Sequence, residues 1–248
     1  DLELETYHFM NHLLQEDLSI FNMIDSEFVV VNQNLAEFYG IEDVEGTEFR
    51  VVPVSADLNR GGLLTQGSFL SGHSDGTQAH PIKRAVWMME RILGESPPPP
   101  PPNVPDLDPK DPNTNKLPIA EQLALHRDNV SCRNCHKKLD PYGLVFEDYN
   151  GAGLLSTSPG SNPNTIVQLP AGSEVTGVAG MKKYVLEFER EKFATSLVEH
   201  LMTFALGRDM SYVDEEEIHT IVVAAMKNGG SFQSTLQEII TSPMFLRN

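Results

Sequence analysis

The two cysteines of this 248-residue chain lie in a single Cys-x-x-Cys-His segment, Cys132–His136. This spacing is the attachment signature of a c-type haem. Two thiols three positions apart can each form a thioether with one vinyl group of the porphyrin, and the next residue, His136, can donate an imidazole nitrogen to the iron. The segment therefore predicts one covalently bound haem c, held by Cys132, Cys135 and His136.

Two other kinds of site also use a Cys-x-x-Cys pair. A closed structural zinc site needs four ligands, usually with a second Cys or His pair at short spacing, and the chain offers none nearby. A thioredoxin-like redox pair follows a strand and opens a helix, and that context is missing around Cys132. Both alternatives stay open, and covalent haem is the hypothesis that the spacing favours.

The group on the second face of the iron decides the chemistry of such a haem. A strong sixth ligand favours electron transfer, whereas an open face admits peroxide or oxygen. His80 precedes a helix start at Pro81, in a glycine- and serine-rich loop that can lie over the ring, and is a candidate metal ligand beside His136. The alternatives are an open face or one of four other side chains: His73, Met181, Met202 and Met210.

Haem propionates are anions that need hydrogen-bond donors. We expect Arg84 and Arg60 to supply them, because a guanidinium group can bind a carboxylate through two parallel hydrogen bonds. Surface salt bridging is the alternative for each arginine. Tyr142 and Tyr149 follow the haem motif closely and are expected to wall the ring or to donate hydroxyl hydrogen bonds.

Helical periodicity dominates the elements that must position these residues. Asp140–Gly143 is expected to turn the chain away from His136, and the Gly-, Ser- and Pro-rich stretch 151–177 to form a loop or small hairpin over one haem edge. A strand is predicted over residues 49–54. Helices are predicted over residues 2–18, 81–93, 118–129, 182–206, 214–226 and 231–241.

A proline run over residues 97–102 interrupts the helical pattern. Six prolines in a polyproline II helix extend roughly 19 Å without internal hydrogen bonds. A strap across the surface is the favoured interpretation, and a ligand for an aromatic groove on a partner is the alternative. We expect three regions: 1–48 as the end of a preceding helical domain, 49–112 as a loop–helix region with the strap, packed on the haem domain, and 113–248 as the helical haem domain.

The formal net charge of −17 argues against nucleic acid and anionic membranes as partners, because both need clustered Lys and Arg. No apolar run approaches the ~20 residues that span a bilayer. Because haem attaches covalently outside the bacterial cytoplasm, we expect a periplasmic, extracellular or cell-surface protein. We also expect the chain, which starts inside a helical pattern at Asp1, to be a fragment of something longer.

Several longer motifs follow one another along the whole chain: Asn32–Ile41, Arg60–Gln66, His80–Arg84, Pro97–Pro105, His126–Pro141 around the haem segment, and Phe204–Arg208. This succession resembles the planctomycete-type secreted c-type cytochrome proteins built from adjoining domains of unknown function, and specifically their C-terminal part. The resemblance implies an exported bacterial protein with covalent haem and further domains upstream. It does not imply a reaction, because the activity of that family is itself poorly defined.

The expected fold is therefore mainly α: a cytochrome c-like helical haem domain with irregular loops, a polyproline strap and little β structure. Three functions follow from the haem prediction. The leading one is a monohaem cytochrome that transfers electrons to a redox partner protein or to upstream domains of the same polypeptide. The second is a peroxidase- or oxidase-like haem enzyme, with His80 or His73 as its acid–base residue. The third is a structural interaction module in which the haem staples the fold.

Overall fold

A computed structural model describes residues 1–76, 78–99, 117, 121–124, 130–156 and 162–247, and these residues are mainly helical, as the sequence predicts. The α-helices are α1 (Leu2–Gln15), α2 (Gln33–Tyr39), α3 (Gly67–Gly72), α4 (Pro81–Trp87), α5 (Val130–Leu144), α6 (Gly177–Phe188), α7 (Arg190–Leu206), α8 (Glu215–Lys227), α9 (Phe232–Ile240) and α10 (Pro243–Leu246). A π-helix, Met88–Ile92, continues α4.

Two small antiparallel sheets complete the described fold. Strand β1 (Phe28–Val31) pairs with β2 (Arg50–Pro53), and β3 (Ile166–Gln168) pairs with β4 (Glu174–Thr176). The second pair confirms the predicted hairpin within 151–177, and β2 confirms the strand predicted over 49–54. Because β1 and β2 lie on opposite sides of the expected boundary at residues 48 and 49, the sheet joins those two regions.

A side-chain cap and a glycine define the two ends of α2, and an apolar face orients α1. The side chain of Asn32 accepts a hydrogen bond of 3.0 Å from the backbone N–H of Leu35 and so caps α2. Gly40 ends the same helix in the left-handed region, at φ 73°, which glycine adopts without strain. One face of α1 is buried through Glu5, Phe9 and Leu13, a spacing of about one helical turn.

Helices α4 and α5 pack against each other, and this contact positions the Cys-x-x-Cys-His segment. The two backbones approach closely at Gly143, where an added Cβ would lie 2.2 Å from the carbonyl oxygen of Pro81. The expected turn at Asp140–Gly143 is wrong, because α5 continues through Pro141 to Leu144. Proline at this position removes a single hydrogen bond near the helix end, and close packing at Gly143 holds the last turn in place.

The C-terminal third is an assembly of helices, as predicted, with one break that the sequence pattern does not predict. Instead of one helix over 182–206, α6 ends at Phe188 and α7 begins at Arg190. Glu189 lies between them with φ −120° and ψ 19°. Its carboxylate accepts a hydrogen bond of 2.8 Å from the Tyr184 hydroxyl and pairs with Lys192 at 3.0 Å, which stabilises the break.

Buried charges connect distant parts of the chain. The Lys182 ammonium group on α6 is 3 % exposed and donates to the carboxylate of Asp25 at 3.0 Å and to the carbonyl of Gly61 at 2.6 Å. Burial lowers the pKa of Lys182, and the nearby carboxylate opposes that shift. A buried charge needs such partners, so these bonds fix α6 against the N-terminal region. Among the described residues, no helix combines the length and apolar character needed to cross a bilayer.

Candidate functional site

Helix α5 carries the whole Cys-x-x-Cys-His segment. Residues 132, 135 and 136 are three and four positions apart, so they share one face of a helix. Leu139 and Gly143 continue this face, and Gly143 contacts α4, so the face is turned towards α4 and the π-helix. The side chain of Cys132 and most of the predicted helix 118–129 lie outside the described residues, apart from a helical turn at 121–124.

His136 is held by a carboxylate on its own helix. Its Nδ1 lies 2.7 Å from Oδ1 of Asp140, one turn further along α5. The side chain of His136 is 15 % exposed and that of Asp140 is fully buried. A carboxylate oxygen accepts, so Nδ1 donates, and in the neutral ring the lone pair is then on Nε2. Metal-binding histidines commonly use this arrangement, in which one ring nitrogen is oriented by a carboxylate and the other binds the metal.

A cleft of about 520 Å³ opens beside Cys135, between α5 and the π-helix. The thiol of Cys135 is half-buried and forms no disulfide. Clefts of several hundred Å³ with largely apolar walls are typical of cofactor sites. The lining residues are Met89, Glu95, Ser96, Pro97, Pro98, Pro99, Asn134, Cys135, Lys138 and Leu139.

The lining of this cleft fits a c-type haem in part, because His136 is not among the residues that line it. The cleft supplies an attachment thiol, apolar walls from Met89, Leu139 and the first prolines of the predicted strap, and a size suited to a flat macrocycle. Next to it on α5, His136 offers a nitrogen ligand of fixed orientation. The part of the strap beyond Pro99 lies outside the described residues.

A larger cleft of about 920 Å³ lies on another face of α5. It is bordered by Lys137, Pro141 and Leu144 of the helix and by the β3–β4 hairpin. Lys137 is two positions from Cys135, and residues two apart do not face each other on a helix. A haem attached to Cys135 would therefore lie against the smaller cleft, which Cys135 itself lines, although the other cleft is larger.

The structure gives Arg84 a role in the fold. This side chain is fully buried and its terminal nitrogens donate four hydrogen bonds of 2.9 to 3.1 Å, to the backbone carbonyls of Leu70, Phe146, Tyr149 and Asn150. Burial lowers the pKa of Arg84 to about 10. Contact with a propionate stays a prediction, and a propionate would have to replace these bonds.

Arg60 is likewise buried and bonded to the backbone. Its guanidinium donates to the carbonyl oxygens of Thr65 at 2.5 Å and Gly153 at 2.7 Å. It also stacks on the ring of Tyr39, with its central carbon 3.9 Å from the ring centre, which is a cation–π contact. A propionate contact by Arg60 also stays untested.

Both predicted tyrosines are buried. The hydroxyl of Tyr149 donates to the backbone carbonyl of Asn59, and burial raises its pKa. Tyr142 lies on α5 and is 7 % exposed, and burial raises its pKa as well. Neither tyrosine lines the Cys135 cleft, so the predicted role of these rings as haem walls stays untested.

The sequence candidates for the sixth ligand do not line the Cys135 cleft. Nδ1 of His80 accepts a hydrogen bond of 3.3 Å from the N–H of Lys83 and caps α4, while Nδ1 of His73 lies 2.7 Å from the carbonyl of Phe69. The α4 start lies beside Gly143, seven residues or about 10 Å along the helix from His136. Met181 and Met202 are fully buried in the core, and Met210 packs against it.

One residue of the site was missed at the sequence level. Asp140 belonged to a recognised motif, and its position four residues after His136 on a helix was the signal for their contact. The place of Met89 in the cleft depends on how the π-helix packs against α5. In the described part of the chain, no three His, Cys, Asp or Glu side chains are grouped to hold a metal ion.

Comparisons with known families find adjoining domains of unknown function, as the resemblance implies. Three adjoining family models match, each described as a protein of unknown function: DUF1592 over residues 1–41, DUF1588 over residues 60–159 and DUF1585 over residues 171–245. Such adjoining domains are the pattern of planctomycete-type cytochrome-like proteins. The haem segment falls within the DUF1588 match. Searches of curated proteins and of solved structures found no match.

Proposed function

We propose that this chain is a monohaem c-type cytochrome that transfers single electrons outside the cytoplasm. The observation that carries the proposal is the meeting of three features on α5: the Cys-x-x-Cys-His spacing, the contact of 2.7 Å between His136 and Asp140, and the apolar cleft beside Cys135. A haem bound there supplies one-electron oxidation and reduction at its iron.

The protein's own residues would prepare the site in three ways. Cys132 and Cys135 provide the thiols that become thioethers. Asp140 holds the ring of His136 through Nδ1, and Nε2 would be the nitrogen that binds the metal. Leu139 and the cleft prolines keep water from one face of the ring, and an apolar environment of this kind tunes a haem's reduction potential.

The described structure favours a carrier over a peroxidase-like enzyme. An enzyme of that kind needs an acid–base side chain over an open haem face, and the residues expected for this role were His73 and His80. Nδ1 of His73 lies 2.7 Å from the carbonyl oxygen of Phe69, and Nδ1 of His80 accepts a hydrogen bond from the N–H of Lys83, so both are engaged in local contacts. The proposed partner is a redox protein or another domain of the same polypeptide, in the periplasm or at the cell surface.

Maturation in cells tests the proposal directly. The chain is exported to the periplasm of a host that makes c-type cytochromes, and the mass of the intact polypeptide is measured after purification under denaturing conditions. We expect the mass of one haem to be added, and a reversible one-electron wave in voltammetry. Double substitution Cys132→Ser with Cys135→Ser should abolish the added mass. Wild-type protein without added haem would overturn the proposal.

A further inference from the structure

Three strongly exposed apolar side chains lie at one end of the pair formed by α7 and α8. Phe204 is 89 % exposed, Tyr212 82 % and Val213 68 %, and only two other large apolar side chains among the described residues are as exposed as Val213. Phe204 lies in the last turn of α7, and the other two come just before α8, which packs against α7. We call these side chains and the loop 207–214 the tip.

The loop of the tip has a fixed shape. Both terminal nitrogens of Arg208 donate to the carboxylate of Asp214, at 2.8 and 2.9 Å. The backbone N–H and the hydroxyl of Ser211 donate to the same carboxylate at 2.9 and 3.0 Å. Tyr212 and Val213 are therefore displayed on a structured loop, which loses little conformational entropy when it binds a partner.

The tip is acidic as well as apolar. Residues 204–217 include five carboxylates and one arginine, a formal charge of −4. The arginine is paired within the loop, whereas Asp209, Glu215 and Glu216 are exposed. A surface that fits the tip must therefore combine apolar groups with positive charge.

The cleft of about 920 Å³ between α5 and the β3–β4 hairpin has this combination, and we call it the lysine cleft. Lys137 and Lys138 border it and are exposed, and neither takes part in an ion pair among the described residues. Residues 110–138 carry six Lys or Arg and three Asp or Glu, so this segment is basic in a chain of net charge −17. The hairpin wall is apolar and includes Leu169 and the half-exposed Ile166.

We propose that the tip of one copy of this chain docks into the lysine cleft of a second copy. Phe204 and Tyr212 would contact the apolar hairpin wall, and the carboxylates of the tip would pair with Lys137 and Lys138. Because both aromatic side chains are more than four-fifths exposed in a single copy, the tip does not fill the cleft of its own chain. The contact joins two different surfaces, so it can repeat from copy to copy. This inference goes beyond the proposed function and does not depend on haem.

The net charge opposes self-association only at long range. The Debye length is about 8 Å at physiological ionic strength, so charges outside the contact are largely screened. Within the contact, opposite charges meet and exposed apolar groups are buried, and both effects favour binding. We expect a Kd on the order of 10 µM, at the weak end of the range for protein interfaces.

Sedimentation of the full chain, from well below to well above this concentration, tests the proposal. Wild type should change from monomers to dimers and larger assemblies as concentration rises. Phe204→Ser with Tyr212→Ser removes the tip, and Lys137→Glu with Lys138→Glu reverses the charge of the lysine cleft. Each double variant alone should stay monomeric. An equimolar mixture of the two should form one-to-one heterodimers and nothing larger, because the mixture contains one intact tip and one intact cleft per pair.

The control changes an exposed aromatic residue and an exposed lysine elsewhere on the surface. Phe188→Ser with Lys183→Glu on α6 should associate as wild type does. Wild type that stays monomeric at every concentration would overturn the proposal, as would two variants that do not complement each other. Association that is lost in the tip variant but kept in the cleft variant would indicate contact between two tips and would also refute it. Should the glutamate variant not fold, Lys137→Gln with Lys138→Gln takes its place in the same mixture.

Discussion

Replacement of Arg84 by methionine separates a role in the fold from a role at the haem. Arg84→Met keeps a long side chain in the core but removes the donor of four hydrogen bonds to backbone carbonyls of residues 70, 146, 149 and 150. A hydrogen bond that involves a charged group contributes roughly 1.5 kcal/mol or more to stability, which would sum to about 6 kcal/mol for four. Relaxation and entry of water reduce this sum, so we expect a loss of about 3 to 5 kcal/mol.

Urea denaturation of the haem-loaded protein measures this loss. Linear extrapolation gives the free energy of unfolding, and an unchanged slope shows that the variant unfolds from the same compact state. Arg190 supplies the control, because its guanidinium is exposed and stacks on Phe21 with its central carbon 3.8 Å from the ring centre. Arg190→Met should cost no more than about 1 kcal/mol.

The reasoning would be refuted by an Arg84→Met variant that loses less than about 1 kcal/mol, since four buried carbonyls cannot lose a charged donor at so small a cost. An unchanged stability combined with an altered reduction potential would instead restore Arg84 as a propionate partner. Haem content and absorption spectrum, recorded on the same samples, decide between these results.

Three further predictions concern packing, pH and the histidine ligand. Gly143→Ala should lower the free energy of unfolding by about 2 kcal/mol or more in urea titrations, because its Cβ would lie 2.2 Å from a backbone oxygen of α4. The control is Gly180→Ala in α6, where an added Cβ would have no contact shorter than 3.5 Å, and this variant should be as stable as wild type or more stable. Burial raises the pKa of Glu5 to about 7, so the free energy of unfolding should fall by up to about 3 kcal/mol as pH rises from about 4.5 through 7. Glu5→Gln should remove this contribution to the pH dependence of stability. Asp140→Asn should raise the reduction potential in voltammetry, because His136 then donates to a neutral acceptor and becomes a weaker ligand.

Each of these three predictions would be contradicted by a specific result. Equal stability of the Gly143→Ala and Gly180→Ala variants would show that α4 and α5 can separate without cost. The folded state binds the Glu5 proton more tightly than the unfolded state does, and this sets the sign of the effect. A Glu5→Gln variant that keeps the full pH dependence of wild-type stability would contradict the prediction. An unchanged potential in Asp140→Asn would mean that the carboxylate does not act on the ligand.

Local patterns in the sequence predict α1, α4, α8 and α9, but neither α5 nor the break at Glu189. The apolar spacing from Pro81, with glycine at position 94, predicts α4 and its π-helical continuation, and Gly94 indeed has a positive φ of 67°. These features depend on neighbours within a few residues, which a sequence displays directly.

Contacts between residues that are far apart along the chain could not be predicted from the sequence. Arg84 was expected at a propionate because its fork of donors suits a carboxylate, yet its donors meet backbone carbonyls more than sixty residues further along the chain. Every residue has a backbone carbonyl, so the sequence does not indicate which carbonyls will accept from a buried arginine. The break at Glu189 and the place of Met89 likewise depend on tertiary contacts, which override local preference.

The Lys182 bonds have a consequence for how this polypeptide can be divided. Lys182 lies in the DUF1585 match, whereas its partner Asp25 lies in the DUF1592 match and its other partner, Gly61, in the DUF1588 match. A fragment that contains only one of these segments would lack the hydrogen-bond partners of Lys182, Asp25 or Gly61 that lie in the other segments. We therefore expect each segment produced alone to be less stable than the whole chain.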